Sequence, residues 1–299
     1  MAAIIQQVLI LFLMAAAGYL MVRLKKWNDD SLQVLTGLMV CIGNPCLNLS
    51  KLDQIARGEL KMDWLIVFLF TIVMLAVLIG LFFFVFRRSP HDRRAVYIQM
   101  AVMSNCGFMG YPMIEAALGA QAVAYGVAFV TAFNFVSWTL GLMLFYKEWQ
   151  VGLKKMFNIN MAAIALGLLL HLTGLTLPAA LSGAISAMGS LATPVSMLIA
   201  GAYLGGVTRA LFRDRCFLLS CGLRLLVCPL IVLGMLALCG MQGDMRGAIY
   251  VVSTMPASAN MVLQASAYST PDAQRLAVGG VALTTVLSIA TIPLMLMLL

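Results

Sequence analysis

Apolar runs, each about as long as one bilayer crossing, alternate with short charged or turn-rich segments along the chain. Reading each run as a helix gives spans at 2–22, 31–50, 64–86, 94–119, 122–146, 160–178, 182–204, 215–239, 247–269 and 274–298. At 1.5 Å rise per residue, about 20 residues cross a hydrocarbon core of ~30 Å. The pattern therefore predicts an all-α polytopic membrane protein with ten transmembrane helices. Two of these spans contain stretches that cannot be ordinary membrane helix: Ser104-Asn105-Cys106-Gly107-Phe108-Met109-Gly110-Tyr111-Pro112 and Ser253-Thr254-Met255-Pro256-Ala257-Ser258-Ala259-Asn260. Proline lacks a backbone donor and clashes with the preceding turn, which leaves carbonyls free. In hydrocarbon each unsatisfied group costs several kcal/mol unless protein, water or a ligand meets it. Paired broken helices at corresponding places in two halves are where secondary transporters hold their substrates.

The two halves emerge when the chain is shifted by 149 residues: Gly18 lands on Gly167 and Pro45 on Pro194. Span three then falls on span eight, span five on span ten, and Asn105 on Thr254. This predicts a first five-helix repeat over 1–146, a linker over 147–159, and a second repeat over 160–299. An odd number of spans per repeat forces the second to be inverted in the membrane.

Composition agrees: 63% of the 299 residues are hydrophobic and 10% charged, where soluble domains run near ~25% charged. Mean hydropathy is +1.00. The net charge of +8 would suit a nucleic-acid partner, but its placement suits topology better. Of the 19 Lys and Arg, the loops on one side hold only Lys51, Arg57, Lys61 and Arg246; Arg224 lies within a span, and the other 14 lie on the opposite side. Positive loops stay cytoplasmic, so a plasma (inner) membrane protein with both termini outward is expected. The run from Arg87 to Arg94 is then a cytoplasmic turn near anionic lipid. Trp27, Trp64, Tyr146 and Trp149 fall near helix ends, where interfacial aromatics belong. The first run has no basic segment before it and no small-residue cleavage site, so it reads as an uncleaved helix.

Several function classes drop out. The seven cysteines form no close CxxC pair and have no histidine cluster, so neither disulfide, metal site nor cofactor is expected. Absent a buried Ser–His or Cys–His set or paired membrane aspartates, the chain does not read as an enzyme. A channel would need charged rings or a repeated filter. A sodium–proton antiporter needs deep carboxylates, and the only acidic residue within a span is Glu115, near an outer helix end.

Asn105, Gly110 and Pro112 form an N-x4-G-x-P pattern in the fourth span. Together with the break around Pro256, Asn44-Pro45 in the second span, Gly18-Tyr19-Leu20 in the first and Pro293 in the last, it resembles the auxin efflux carrier family over essentially the whole chain. The resemblance implies broken helices four and nine crossing in the membrane. It also implies a scaffold of helices 1, 2, 6 and 7, a moving transport bundle of 3–5 and 8–10, and a homodimer through the scaffold. Family substrates are organic anions: auxin in plants, malonate, malate or related carboxylates in bacteria. The short linker resembles the compact bacterial members.

The physics of the breaks fits such a substrate. The second half of a broken helix opens with unpaired N–H groups and a partial positive charge, which suit a carboxylate. Asn105 takes the family's substrate role and donates through its amide. Ser104, Thr254, Ser258 and Asn260 add polar contacts, Pro112 and Pro256 make the breaks, and Gly107 and Gly110 allow close approach. The plainer alternative is that these side chains only repair the backbone. Asn44 and Pro45 either line the opposite wall or support a kink with Asn48, Thr193 and Ser196 around Pro194. Arg224, deep in span eight, contacts either the anion or backbone carbonyls. Asn134 and Gln264 are weaker candidates, while His91 and His171 are bland. The expected carrier thus moves a small organic anion by elevator-type alternating access. The competing reading is a sodium-coupled symporter of bile-acid-carrier architecture, with Thr131, Asn134, Thr284 and Thr285 as ion ligands.

Overall fold

The computed structural model describes residues 2–54, 62–146, 159–204 and 210–299. The expected linker lies outside them except for its last residue, as do Arg57, Lys61, Trp149 and Arg209. The described residues are helical almost throughout. In chain order the α-helices are α1 (Ala2–Arg23), α2 (Asp29–Leu38), α3 (Asn44–Gln54), α4 (Met62–Val85), α5 (His91–Val102), α6 (Tyr111–Leu118), α7 (Val123–Val136) and α8 (Ile159–Thr173). They continue with α9 (Ala179–Ser190), α10 (Ala192–Tyr203), α11 (Arg215–Gly222), α12 (Cys228–Leu238), α13 (Gly243–Ser253), α14 (Asn260–Tyr268) and α15 (Pro271–Leu296).

Among the described residues, seven helical stretches are long and apolar enough to cross a membrane: Ala3–Arg23, Asp29–Leu52, Met62–Val85, Ala120–Gly141, Ala179–Tyr203, Arg215–Leu238 and Pro271–Leu296. Starts are set by local side chains. Asn28 caps α2 in a reciprocal box with Ser31, Asp214 accepts from the Phe217 amide at the start of α11, and Thr270 does the same for Ala273 at α15. Among the described residues, four single wide (π) turns interrupt the helices: Met39–Gly43, Cys106–Gly110, Ser137–Gly141 and Leu223–Val227. Such turns leave backbone groups out of the regular ladder and recur at functional sites.

Packing divides the helices into two groups. One comprises α1, α2, α3, α8, α9 and α10: α1 lies along α10, and α3 lies between α8 and α9. Here backbones touch. A Cβ on Gly18 would sit 1.9 Å from the Leu198 carbonyl oxygen, and one on Gly201 would sit 1.7 Å from that of Ala15. The second group joins α4 to α5 and α7, α5 to α11 and α15, and α13 to α6, α7 and α12. One basic side chain ties three of its helix starts together. Arg93 on α5 pairs with Asp272 of α15 at 2.9 Å and with Asp214 of α11 at 3.3 Å, and Tyr97 also donates to Asp214 at 2.5 Å. Arg93 is therefore spent on the protein and is not free for lipid.

The same shift relates the strongest contacts of the first group. Moving α1 and α10 by 149 residues, in opposite directions, gives α8 and α3, and Gly18 against Leu198 becomes Gly167 against Leu49, where an added Cβ would sit 3.3 Å from the Leu49 side chain. The second group follows a different register. α4 maps onto the helix Arg215–Leu238 with 62 on 215 and 85 on 238, a shift of 153.

Candidate functional site

The fourth and ninth apolar runs are each cut in two. In the first, α5 ends at Val102 and Met103 turns extended (φ −82, ψ 111), with helix resuming at Cys106. In the second, α13 ends at Ser253 and α14 begins at Asn260. The two gaps pair as a short antiparallel bridge between Ser104 and Ala257. The Asn105 amide donates to the Pro256 carbonyl at 2.8 Å, and the Ser258 amide to the Met103 carbonyl at 2.9 Å. Ser104 opposite Ala257 is again a shift of 153, so Asn105 corresponds to Ser258 and not to Thr254. Backbone groups that proline and glycine released are thereby met by backbone from the other break, the economical solution where no water is available.

Two helix C-termini, α5 and α13, converge here with their free carbonyls and partial negative charge. Arg224, only 1% exposed and carried on the π turn Leu223–Val227, meets both. Its guanidinium donates to the Val102 carbonyl at 2.6 Å, to Ala101 at 3.5 Å, and to the Ser253 carbonyl. Of the two roles open to it from sequence, carbonyl pairing is the one it fills in this conformation.

Several polar groups of the breaks repair backbone. Thr254 donates to the Val251 carbonyl and Ser253 to that of Tyr250, both at 2.7 Å. The Ser258 hydroxyl accepts from the Asn260 amide at 3.2 Å, and Thr284 of α15 accepts from the Ala257 amide at 3.1 Å. Others stay unspent. The Asn260 carbonyl oxygen and the Asn44 amide nitrogen are buried without a partner. The Asn105 side chain, 2% exposed, makes no hydrogen bond among the described residues, and the first N–H groups of its turn, Cys106 to Phe108, find no backbone acceptor there.

A narrow cavity of ≈ 20 Å³ adjoins the break, lined by Thr36, Asn44, Phe108, Ser196, Tyr203 and Asn260 among others. That is room for about one water. It lies between α2, α3 and α10 of the first group and the broken helices of the second. Asn44, Ser196 and Asn260 thus share one cavity wall system, whereas Asn105, Thr254 and Pro256 belong to the crossing behind it. Gly110 is a true close approach: a Cβ there would meet Val252 Cγ1 at 2.8 Å, while one on Gly107 would meet only Val130 at 3.7 Å. Pro112 occupies the first turn of α6, where its missing N–H costs nothing. Pro45 and Pro194 instead fall within the continuous helical stretches Asp29–Leu52 and Ala179–Tyr203.

From Asn44 a chain of buried amides leads across the groups. Asn134 of α7 donates to Asn48 at 3.2 Å, and Asn48 to Asn44 at 3.5 Å. One helical turn further, the Lys51 ammonium lies 5.6 Å from the Tyr111 ring centre. A second network escaped the sequence reading in part. Gln99 donates to Gln264 at 2.6 Å and to the Gly141 carbonyl at 2.7 Å, and Gln264 donates to the Ser137 carbonyl at 2.9 Å. Both ends of the π turn Ser137–Gly141 are held this way. Gln99 was legible as a carboxamide inside an apolar run; the cavity residues Thr36, Phe108 and Tyr203 carried no such signal.

The sodium-ligand candidates are divided. Thr131 donates to its own helix at Val127, and Asn134 is bound to Asn48. Thr284 donates to Gly280, and the Thr285 hydroxyl is buried without a partner. Among the described residues no three His, Cys, Asp or Glu side chains group to hold a metal ion.

Comparison with known proteins gives one family. The model of the membrane transport protein family matches the chain twice, over residues 3–150 and 148–296. No curated protein matches the chain closely. The two matches meet at residues 148–150. This multi-pass membrane protein is a transporter and not an enzyme, and it belongs to the membrane transport protein family, the auxin efflux carrier family that its motifs resemble.

Proposed function

We propose that the chain is a secondary carrier of a small organic anion, a carboxylate of the malonate, malate or auxin-like class. The observation that carries this reading is the pairing of two mid-helix breaks beside a cavity lined by Asn44, whose amide nitrogen is unspent, and Asn260, with the unpaired Asn105 side chain in the crossing behind it. Amide donors and open helix N-termini without a nearby acidic side chain suit an anion and repel a cation. Counting each broken helix and the short α8 as one crossing gives ten, arranged as two inverted five-helix repeats. The scaffold is α1–α3 with α8–α10; the transport bundle is the second packing group, tied by Arg93 at one end and by Arg224 at the crossing. Movement of that bundle against the scaffold, elevator fashion, would carry the site between faces. A bacterial plasma-membrane setting and a homodimer through the scaffold belong to the same reading. The sodium-coupled alternative has less support, because a fixed guanidinium already serves the carbonyls that a bound cation would seek.

The test is uptake of labelled malonate, malate, oxalate, lactate and indole-acetate into proteoliposomes, with wild type beside Asn105→Ala. A hydrogen bond to a charged group contributes about 1.5–3 kcal/mol, so the variant should lose roughly 10- to 100-fold in affinity for the acid carried. Unchanged affinity in a folded Asn105→Ala protein refutes the placement. Absence of uptake of every acid under imposed H+ or Na+ gradients refutes the substrate class.

A further inference from the structure

A second, larger cavity lies at the basic end of the bundle, away from the crossing. It is open to the surface and offers ≈ 280 Å³ between the end of α4, the start of α5 and the residues after the π turn Ser137–Gly141. Its polar wall is His91, Arg94 and Tyr146; its apolar wall is Phe83, Ala95, Ile98, Met143 and Leu144. At ~30 Å³ per water this is room for roughly nine waters, far more than the crossing cavity offers. The two neighbouring arginines differ in a telling way. Arg93 is neutralised by Asp214 and Asp272, whereas Arg94 has no acidic partner among the described residues. Its guanidinium rests on the Phe83 ring, 4.9 Å from the centre, and reaches the Arg87 carbonyl only at 3.5 Å. The His91 ring has Asp92 3.4 Å away.

We propose that this cavity binds the phosphate headgroup of an anionic phospholipid. The occupant follows from what surrounds the cavity. Phe83 lines it and is itself 40% exposed, at the edge of the broad exposed apolar face of α4 that carries Leu69, Val73, Val77, Leu81 and Phe84. Their spacing of three and four residues keeps them on one helix face. A molecule with an anionic head among Arg94, His91 and Tyr146 and an acyl chain along that face meets both surfaces at once. A free phosphate would use only the first. The guanidinium offers paired donors to phosphate oxygens, and a basic pocket between membrane helices is a recognised headgroup site.

Native mass spectrometry of the detergent-purified protein tests this, with phosphatidylglycerol and phosphatidylcholine titrated separately. The expected result is one phosphatidylglycerol held about tenfold more tightly than phosphatidylcholine. That increment should vanish in the double variant Arg94→Gln with His91→Gln, and also in Met143→Trp, which fills the cavity without touching a charge. It should persist in Arg87→Gln with Arg88→Gln, which strips the exposed turn. Equal retention of both lipids, loss only in the Arg87/Arg88 variant, or retention in both cavity variants would overturn the proposal. So would displacement of the lipid by millimolar inorganic phosphate, which would make the ligand a soluble phosphate.

Discussion

Arg224 is the residue on which sequence and structure bear most differently. Its depth in span eight marked it as costly, since a charge there must be repaid by partners. Those partners are backbone carbonyls more than 20 residues away in one direction and more than 100 in the other. They become available only because two helices end at the same place, and no side-chain pattern announces that. Removing the guanidinium in Arg224→Met strands the buried carbonyls of Val102 and Ser253, at about 1–3 kcal/mol each. The variant should therefore unfold earlier on heating in detergent. Arg224→Lys, which keeps the charge but offers a single point of donation, should fall between it and wild type. If Arg224→Met melts like wild type yet loses anion uptake, the guanidinium serves the substrate and not the crossing. The same logic separates the other polar candidates. Thr254 and Ser258 spend their hydroxyls on backbone, whereas Asn44, Asn105 and Asn260 do not, a distinction composition alone could not make.

At the scale of elements, the apolar runs were legible because bilayer thickness fixes their length and hydrocarbon fixes their composition. The breaks were legible because proline and glycine have few uses at that depth. Less visible were the register and the contacts. A shift of 149 held for the first packing group, where Gly18 and Gly167 are related. The second group follows 153, which moves the partner of Asn105 from Thr254 to Ser258. Glycines illustrate the limit sharply, since the sequence treats all 25 alike. Gly18 and Gly201 stand where α1 and α10 touch backbone to backbone, while Gly80 of α4 has nothing within 4 Å of an added Cβ. Gly201→Ala should cost several kcal/mol, because a backbone carbonyl cannot turn aside as a side chain can. Gly80→Ala should be neutral or raise stability by up to ~1 kcal/mol through helix propensity. Thermal unfolding of the two variants in the same detergent decides it; a tolerated Gly201→Ala would mean that α1 and α10 are not packed this closely.

For the whole molecule, the distribution of charge makes the strongest claim that packing alone cannot. On the proposed ten crossings both termini share one side, and the four basic residues on that side against 14 on the other would put them outside. Each part of this can fail separately, which makes it worth testing with reporters fused to either end. An alkaline phosphatase that folds only outside the cytoplasm should be active after Leu299, and equally active when placed before Met1. A green fluorescent protein at the same places should stay dark after export in unfolded form. Opposite answers at the two ends would mean an odd number of crossings, so one broken helix or α8 would not span and the inverted repeat would fall. Cytoplasmic answers at both ends would keep ten crossings but reverse the orientation, placing Arg93, Arg94 and their cavity outside. Only the expected result leaves the basic end of the bundle facing the cytoplasmic leaflet, where anionic lipid is available to it.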